Sequence, residues 1–551
     1  MEQTYTVSGK PFTPLPQELE LCRSMNIPPS NICPEERMRI CMAERNEWKR
    51  YHRKCDKTGA SIISAYPAES PYVIYKNDVW WGDSWDAAEY AHEFDFSRPF
   101  FDQFIDLQRV VPREGTSIFQ SENCDFNSHI RFSRNCYLNS LVANCEDVYY
   151  SYWMVRGKNC FDCVETNDCT LCCECIDTNN CYGCVALQDS SNCSDCLFSY
   201  QLTGCRNCLF CSNLANKTYC IRNKPCTKEE FEEAKHAVLN GSWTDWLRAN
   251  DEWTDIQAQS LHRPTHMLNC ENVTGDHIYN SRNCVECYES TNGEDCFYCV
   301  SLGDSKNICS GYSIGWPGSE LVYFCSMTRG CTDVAYCTYV WFSSNLRYCD
   351  SCQTCKNCFG CVGLRQKQYC ILNKQFTKEE YDALLPRIIT HMKTSGEWGE
   401  FFPSSSFPYA YNETAAQDRM PLTKQEALKL GFRWSDREEE PPVVQKTIAA
   451  DKLPDSLNQV ADEILQWAIQ SKSNGRPFRI IKQELDFYRL MGLPIPRLHP
   501  TERHLQRMAR RNPPRLWGRK CAKCSKQIES SYPPERKEVV YCENCYLQSI
   551  Y

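Results

Sequence analysis

The chain has 551 residues, 61 lysines and arginines against 70 aspartates and glutamates, and a net charge of −9. This mildly acidic balance excludes a protein that is basic along its whole length, and an aromatic content of 12% excludes an intrinsically disordered chain. The 41 cysteines are the unusual feature, because such abundance is typical of short secreted proteins held together by disulfides.

The location that we expect for the protein is the cytoplasm. Its first residues, Met1–Tyr5, lack the basic and apolar regions of a secretion signal. No run of 18 or more apolar residues occurs, so we predict neither a membrane-spanning segment nor a membrane partner. In a reducing compartment most cysteines remain thiols or bind metal ions.

Cysteine-rich and cysteine-poor stretches divide the chain into six predicted regions. Four cysteines lie within residues 22–55, 33 between residues 124 and 370, and four within residues 521–545. The regions are an N-terminal module with an aromatic, partly helical extension (1–118), a first Cys-rich block (119–226), a helical connector (227–262), a second Cys-rich block (263–376), a helical cap and linker (377–475), and a basic helix with a C-terminal module (476–551).

Three helix starts and two linkers are predicted outside the Cys-rich blocks. Thr227, Thr377 and Thr423 each precede a glutamate by three residues, which is the pattern of a capping box at a helix N-terminus. Residues 401–421 and 436–455 are rich in proline, serine and charge, and we expect them to be linkers.

One module occurs at both ends of the chain. Residues 10–75 align without a gap on residues 476–541 and share 26 identical residues in 66 positions. Such similarity over an ungapped stretch indicates an internal duplication, and we expect the two copies to share a fold.

The C-terminal copy contains a metal-binding motif. Cys521 and Cys524 form one Cys-x-x-Cys pair, and Cys542 and Cys545 form a second pair after seventeen intervening residues. This spacing is typical of a zinc ribbon, in which four thiolates hold one structural Zn²⁺ ion. Iron in a rubredoxin-like site and a redox dithiol are the alternatives.

The N-terminal copy lacks most of this motif. Cys55 remains, but Thr58, Lys76 and Val79 occupy the other three ligand positions. We therefore expect a degenerate ribbon-like module that serves for contact and binds no metal.

A basic segment leads into the C-terminal motif. Its six candidate nucleic-acid contacts are Arg503, Arg507, Arg510, Arg511, Arg515 and Arg519. A basic helix beside a zinc ribbon can bind phosphate groups. The alternative is a helix that anchors on acidic parts of the same chain, whose net charge is negative.

The Cys-rich blocks repeat with a period of twelve residues. Every twelfth residue from Cys124 to Cys220 is a cysteine except Val148, and the same spacing links four cysteines from Cys325 to Cys361. The register slips near residues 311–318, which predicts an inserted loop. A period of twelve favours a β-solenoid whose coil has two short strands and two turns.

The predicted fold class is mainly β. It is a Cys-lined β-solenoid of about 12-residue coils in two blocks with helical caps, flanked by duplicated zinc-ribbon-like α+β modules. A narrow coil requires small interior side chains, and asparagines such as Asn135 and Asn159, which precede cysteines, tolerate a left-handed backbone.

Three roles are open for the cysteines of the blocks. They can be small apolar interior residues, or they can form disulfides between cysteines six apart, such as Cys163 with Cys169. They can also bind a metal or cluster through their Cys-x-x-Cys pairs, although these pairs follow from the repeat itself.

No catalytic motif is found, and we predict no reaction. The sequence has no His-Glu-x-x-His, no phosphate-binding glycine-rich loop and no Gly-x-Ser-x-Gly. His129 and His277 lie near the starts of the two blocks, as metal ligands or as capping residues. We predict a non-enzymatic zinc-binding scaffold whose end modules contact a protein or a nucleic acid. The alternative is a thiol-based metal-binding protein or electron carrier.

The order of motifs resembles a group of uncharacterised cysteine-rich proteins from uncultured bacteria with small genomes. The shared motifs include Arg45-Asn46-Glu47, Lys54-Cys55-Asp56-x-Thr58-Gly59, the run from Phe94 to Phe101, the Asn-Cys-x-x-Cys repeats, and Val540-Tyr541-Cys542-Glu543-x-x-Cys545. The resemblance covers most of the chain and implies the same architecture, with no activity attached. Members carry a Cys-Pro-x-Cys pair where this chain has Cys33-Pro34-Glu35-Glu36, so the resemblance implies no further zinc site here.

Overall fold

The protein, described by a computed structural model over residues 3–4, 11–315, 317–437 and 444–550, divides into two compact units. Unit 1 comprises Met1–Thr116, Thr265–Ser435 and Pro513–Leu516, and unit 2 comprises Ser117–Pro264, Asp436–Asn512 and Trp517–Tyr551. Each unit therefore combines one terminal module with one Cys-rich block. The combination is crossed along the chain, because the N-terminal module belongs with the second block and the C-terminal module with the first.

The duplicated module has the same order of elements in both units. In unit 1 these are Pro11–Phe12 (strand), Pro16–Ser24 and Pro34–Ala43 (helices), Tyr51–Lys54 and Ser61–Ser64 (hairpin), Ile74–Tyr75 (strand) and Asn77–Trp81 (helix). In unit 2 they are Pro477–Phe478, Lys482–Met491, Pro500–Ala509, Trp517–Lys520, Gln527–Ser530, Val539–Val540 and Glu543–Ile550. Every helix and hairpin strand of the second copy begins 466 residues after its counterpart, which is the offset of the sequence alignment.

Polar contacts inside the module are also duplicated. The backbone N–H of Tyr66 donates to Ser64 Oγ at 3.0 Å, and that of Tyr532 donates to Ser530 Oγ at 3.1 Å. Arg53 donates to the carbonyl of Pro67 as Arg519 does to that of Pro533. The identical residues of the alignment thus hold the same turns in both copies.

Strand is the commonest secondary structure, and most strands belong to two long parallel sheets, one in each unit. The strands of unit 2 are Ile118–Phe119, Ser128–Arg131, Ser140–Ala143, Tyr152–Val155, Val164–Asn167, Ile176–Asn179, Val185–Ser191, Ser194–Thr203, Arg206–Leu209, Ser212–Ala215, Thr218–Ile221 and Lys224–Pro225, with Glu146–Tyr149 and Lys158–Phe161 paired beside them. Those of unit 1 are Met267–Leu268, Glu271–Tyr279, Arg282–Thr291, Glu294–Phe297, Val300–Gly303, Lys306–Cys309, Glu320–Tyr323, Thr332–Ala335, Ser344–Arg347, Lys356–Phe359, Gln368–Ile371 and Lys374–Gln375.

Parallel partners in these sheets lie twelve residues apart in most places. Cys196 pairs with Cys208, and Cys208 with Cys220, as the sequence period predicts. In unit 1 the step grows to fourteen between Lys306 and Glu320, which confirms the slip predicted near residues 311–318. Trp316, within that predicted loop, lies outside the described residues.

A second period, of three residues, runs through the backbone of the blocks. Every third residue from His129 to Arg222 has a positive φ, and the same holds from Leu321 to Leu372. The predicted asparagines, including Asn135 and Asn159, lie at these positions. Each twelve-residue step therefore contains four left-handed residues, where the sequence interpretation expected only two turns.

This backbone period determines where the thiols point. Of the 18 cysteines from Cys124 to Cys226, 16 directly follow a left-handed residue. These 16 side chains are buried in one cluster with residues such as Val148 and Leu187. Most of these thiols donate weakly to nearby backbone carbonyls, as Cys160 does to Lys158 and Cys169, both at 3.4 Å. Small size and a weak donor are thus what this interior requires.

Helices pack beside the sheets in each unit. They are Phe100–Val110, Lys378–Ser395, Ala415–Arg419 and Lys424–Lys429 in unit 1, and Lys228–Val238 and Trp243–Gln259 in unit 2. The capping boxes predicted at Thr227, Thr377 and Thr423 are all present. None of the helices in the described ranges has the length and apolar character that a bilayer crossing needs.

The two predicted linkers contain ordered structure. Five aromatic side chains of residues 401–421 are buried in unit 1, namely Phe401, Phe402, Phe407, Tyr409 and Tyr411. The prolines and serines that indicated a linker stand between these rings. In residues 436–455, strand Lys446–Ala449 pairs in parallel with Trp467–Gln470, while residues 438–443 lie outside the described part.

Candidate metal centre

The four cysteines of the C-terminal motif lie together. The ligand atoms of Cys521, Cys524, Cys542 and Cys545 are all within 4.8 Å of one another, and the sulfurs of Cys524 and Cys542 are 3.7 Å apart. Three of the four side chains are buried and that of Cys524 is exposed. This arrangement can hold a metal ion.

Two local structures bring the pairs together. Cys521 follows hairpin strand Trp517–Lys520 and begins a tight turn, in which Ser525 donates its N–H to the carbonyl of Cys521 at 2.9 Å. Cys542 directly precedes helix Glu543–Ile550, whose first turn carries Cys545. The N–H of Ala522 donates to the carbonyl of Val540 at 2.9 Å and thereby ties the turn to the helix start.

The electrostatics of the cluster favour a thiolate at one position. Burial raises the pKa of the Cys521 thiol, but backbone N–H groups of Cys524, Cys542 and Lys523 donate to its sulfur and lower the pKa to about 6. The pKa of the Cys545 thiol is raised to about 12. The largest cause is its hydrogen bond with the neighbouring Cys542 thiol, and burial is the next largest. Without a cation only part of the cluster is ionised at neutral pH, whereas a bound metal ion deprotonates its thiol ligands.

Within unit 2 the motif is anchored to the helical connector and to the first Cys-rich block. Strand Val539–Val540 pairs in parallel with Leu261–His262, and the buried His262 lies 3.1 Å from the hydroxyl of Tyr532. The hydroxyl of Tyr546 donates to Gln201 at 2.8 Å, from the helix that carries Cys545. The four cysteines therefore lie on elements that contact the rest of unit 2.

The basic helix also faces the block. Arg503 forms an ion pair with Asp162, Arg507 with Asp162 and Glu174, and Arg511 with Asp177. All three arginine side chains are buried or nearly so.

The other three predicted nucleic-acid contacts differ in exposure. The guanidinium carbon of Arg510 lies over the ring of Trp253, 4.1 Å from the ring centroid. Arg519 donates to backbone carbonyls of its own module. Arg515 is exposed. The placement of Arg503, Arg507 and Arg511 favours the alternative interpretation, in which the helix anchors on acidic residues of the same chain.

The N-terminal copy presents one thiol at the equivalent place. Cys55 is buried, and the N–H of Lys76 donates to its sulfur at 3.3 Å. Burial raises the pKa of Cys55, but hydrogen bonds from Thr58 and from backbone N–H groups lower it overall. The turn that holds a ligand in one copy thus persists around a single thiol in the other.

The thiols of the Cys-rich blocks contact one another. The thiol of Cys160 is within hydrogen-bonding distance of the thiols of Cys163 and Cys172, which lie three and twelve residues away in the sequence. Burial raises the pKa of Cys163 and Cys175 well above the usual range, so these groups are protonated at neutral pH. The 41 cysteines all lie in the described residues and form no disulfide in the structure, including pairs six apart such as Cys163 and Cys169.

A further group of ligand-type side chains includes one residue that the sequence analysis names and two that it does not. His266, Asp276 and His277 of unit 1 place three ligand atoms within 4.8 Å of one another. His277 is a candidate from its position in the repeat, but His266 precedes the first strand of the block and matches no metal-binding spacing. His129, the counterpart in unit 2, lies 2.8 Å from the hydroxyl of Ser128.

Comparison with protein families and with curated sequences adds no relative. No family model matches the chain, and no similar sequence is found among the curated proteins.

Proposed function

We propose that the protein is a non-enzymatic scaffold that holds one structural zinc ion at Cys521, Cys524, Cys542 and Cys545. The supporting observation is the sulfur geometry. Sulfurs about 2.3 Å from a common Zn²⁺ in a tetrahedron lie about 3.8 Å from one another, and the sulfurs of Cys524 and Cys542 are 3.7 Å apart. Four thiolates leave no ligand position for water, so the ion stabilises structure and performs no reaction.

The architecture that we propose is a pair of β-solenoid blocks flanked by zinc-ribbon-like modules. The twelve-residue parallel register, the regular left-handed positions and the buried small side chains support stacked coils. The hairpin and helix around Cys521 and Cys542 support a ribbon in the C-terminal module. A shared architecture with the cysteine-rich bacterial proteins named above is part of the same proposal.

We propose a protein as the partner of the terminal modules. Burial of Arg503 and Arg507 in ion pairs removes them from any phosphate-binding surface. On helix Lys482–Met491 the side chain of Leu490 is 70% exposed, and on helix Pro500–Ala509 that of Leu505 is 45% exposed. Exposed leucines favour contact with apolar protein surface over contact with a polyanion.

The test of the zinc assignment is metal analysis of the purified full-length protein. We expect one zinc per chain, and none after Cys542→Ser, because three thiolates bind the ion much more weakly. Cys226→Ser, at a partly exposed cysteine of the Cys-rich block, serves as the matched control and should keep the zinc. Equal zinc content in the wild type and Cys542→Ser would overturn the proposal.

A second candidate function is a thiol-based metal-binding protein or electron carrier. The contacts among Cys160, Cys163 and Cys172 favour it, since adjacent thiols are what a soft metal ion or a cluster requires. Anaerobic purification distinguishes the two candidates. Several metal ions per chain or a coloured protein support the carrier, whereas one zinc per native chain and no colour support the scaffold. A titration of 41 thiols after denaturation with a chelator shows in addition that no cysteine is oxidised.

A further inference from the structure

Three ligand-type side chains converge at the start of the second Cys-rich block. Nδ1 of His266 lies 3.1 Å from Oδ1 of Asp276, and Nε2 of His277 lies 4.0 Å from Oδ2 of the same carboxylate. The two imidazole rings are stacked, with centroids 4.5 Å apart and planes inclined by 22°. One atom from each side chain therefore falls within 4.8 Å of the other two.

An irregularity of the sheet produces this convergence. Partners are eleven residues apart at Glu271 and Arg282 but twelve apart at Gly275 and Cys287, and the register shifts between Val273 and Gly275. Gly275 has a φ of 137°, and a Cβ there would lie 1.7 Å from the carbonyl oxygen of Cys287. Only glycine fits such a position, and irregularities of this kind re-aim the side chains that follow them.

The carboxylate is fixed from two sides. Oδ1 of Asp276 accepts the backbone N–H of His266 at 2.6 Å and that of His277 at 2.9 Å. The side chain of Asp276 is only 4% exposed. These bonds hold two segments ten residues apart in the sequence against one buried carboxylate.

We propose that His266, Asp276 and His277 bind a divalent transition-metal ion. Two imidazoles and one carboxylate form the ligand set that such ions take in proteins, and three protein ligands leave at least one position open to water or another small ligand. This site lies in unit 1 and shares no residue with the four-cysteine centre, so it does not depend on the proposed function.

The test uses the full-length protein with its cysteine centre loaded with zinc, titrated with Ni²⁺ and followed by calorimetry. We expect one nickel ion per chain, lost in His277→Gln and in Asp276→Asn. His236→Gln, at an exposed histidine on helix Lys228–Val238, is the control for adventitious imidazole binding and keeps the nickel. Binding that is unchanged in His277→Gln, or absent from the wild type, overturns the proposal.

A second measurement guards against misfolded variants. Ni²⁺ should raise the thermal unfolding midpoint of the wild type and of His236→Gln, because an ion that binds only the folded state stabilises it. In His277→Gln nickel should leave the unfolding midpoint where it is without nickel. Cys524→Ser should still bind nickel, which separates failure of this site from failure of the cysteine centre; loss of nickel there would contradict independence and overturn the assignment.

Discussion

Arg503 of the C-terminal module and Asp162 of the first Cys-rich block form an ion pair inside unit 2, where their side chains are 7% and 2% exposed. Arg503 also approaches Glu484, 3.4 Å away, and the hydroxyl of Tyr488 at 3.1 Å. In unit 1 the equivalent arginine, Arg37, is paired with the equivalent glutamate, Glu18. Each terminal module thus carries its own buried arginine–glutamate pair.

Arg503→Met should destabilise the protein by about 3–5 kcal/mol, because it leaves two buried carboxylates, Asp162 and Glu484, without this guanidinium. Chemical denaturation of the full chain measures the effect. The control is Arg248→Ala, whose side chain is 76% exposed, and which should change the free energy of unfolding by about 0.5 kcal/mol or less. A loss for Arg503→Met no greater than for the control would contradict a structural role for the pair.

Part of this arrangement follows from the sequence and part does not. The ungapped alignment predicts two equal modules, because every helix and hairpin start is conserved at one spacing. The alignment does not predict the ion pair between Arg503 and Asp162, which lie 341 residues apart, because the net charge of a helix does not identify its partner. The sequence also gives no sign of the contact between His266 and Asp276, because that contact depends on a shift in strand register.

The repeat period shows a similar division. Cysteines twelve apart are visible because equal residues stack in neighbouring strands, as Cys196 does on Cys208. The three-residue backbone period has no fixed residue type, since Asn, Asp, Phe and Tyr all occupy left-handed positions. The three-residue backbone period is nevertheless visible in the Cys-x-x-Cys pairs, because successive interior positions are also three residues apart in the sequence.

Size, and not thiol chemistry, should govern the interior of the blocks. The side chain of Cys172 is fully buried and donates weakly to the carbonyls of Thr170 and Cys181. Cys172→Ser should cost about 1 kcal/mol or less, because a hydroxyl can donate to the carbonyl two residues earlier, as Ser199 donates to that of Leu197 at another interior position.

Cys172→Leu should cost about 1–3 kcal/mol by overpacking. Tyr182→Ala, at a side chain that is 53% exposed, is the control and should have little effect on the denaturation midpoint. Serine as damaging as leucine would instead indicate a requirement for sulfur.

Glu44 should make unit 1 sensitive to pH. Burial raises the pKa of this carboxyl to about 8, nearby Asp350 adds to the rise, and Arg113 opposes it. Because the folded-state pKa exceeds the unfolded value of about 4.3, the associated stability is complete below pH 4.3 and is lost as the pH rises to about 8.

Glu44→Gln removes this loss. The variant should match the wild type at pH 4 and exceed its free energy of unfolding by about 2–4 kcal/mol at pH 8. Urea denaturation at both pH values measures the difference, in which all other titrating groups cancel. Glu271→Gln, at an exposed carboxylate of the same unit, should show no such trend. A difference between Glu44→Gln and wild type that does not change with pH would count against the assignment.

The N-terminal module should regain a metal site when its three missing ligands are restored. Cys55 occupies the place of Cys521, and Thr58, Lys76 and Val79 occupy the places of Cys524, Cys542 and Cys545. The surrounding backbone is in place: Cys55 donates its N–H to Ala60 as Cys521 does to Lys526, at 2.8 and 2.9 Å. Thr58→Cys with Lys76→Cys and Val79→Cys should therefore raise the zinc content from one to two ions per chain.

The control for this restoration is the same triple substitution combined with Cys55→Ser. It leaves three thiols in the module, so its zinc content should remain near one ion per chain under competition with a chelator. The second ion should also stabilise the module against unfolding, since it binds the folded state alone. Retention of a single zinc by the triple variant, with the fold intact by circular dichroism, would show that the turn at Cys55 and the helix Asn77–Trp81 no longer hold ligand geometry.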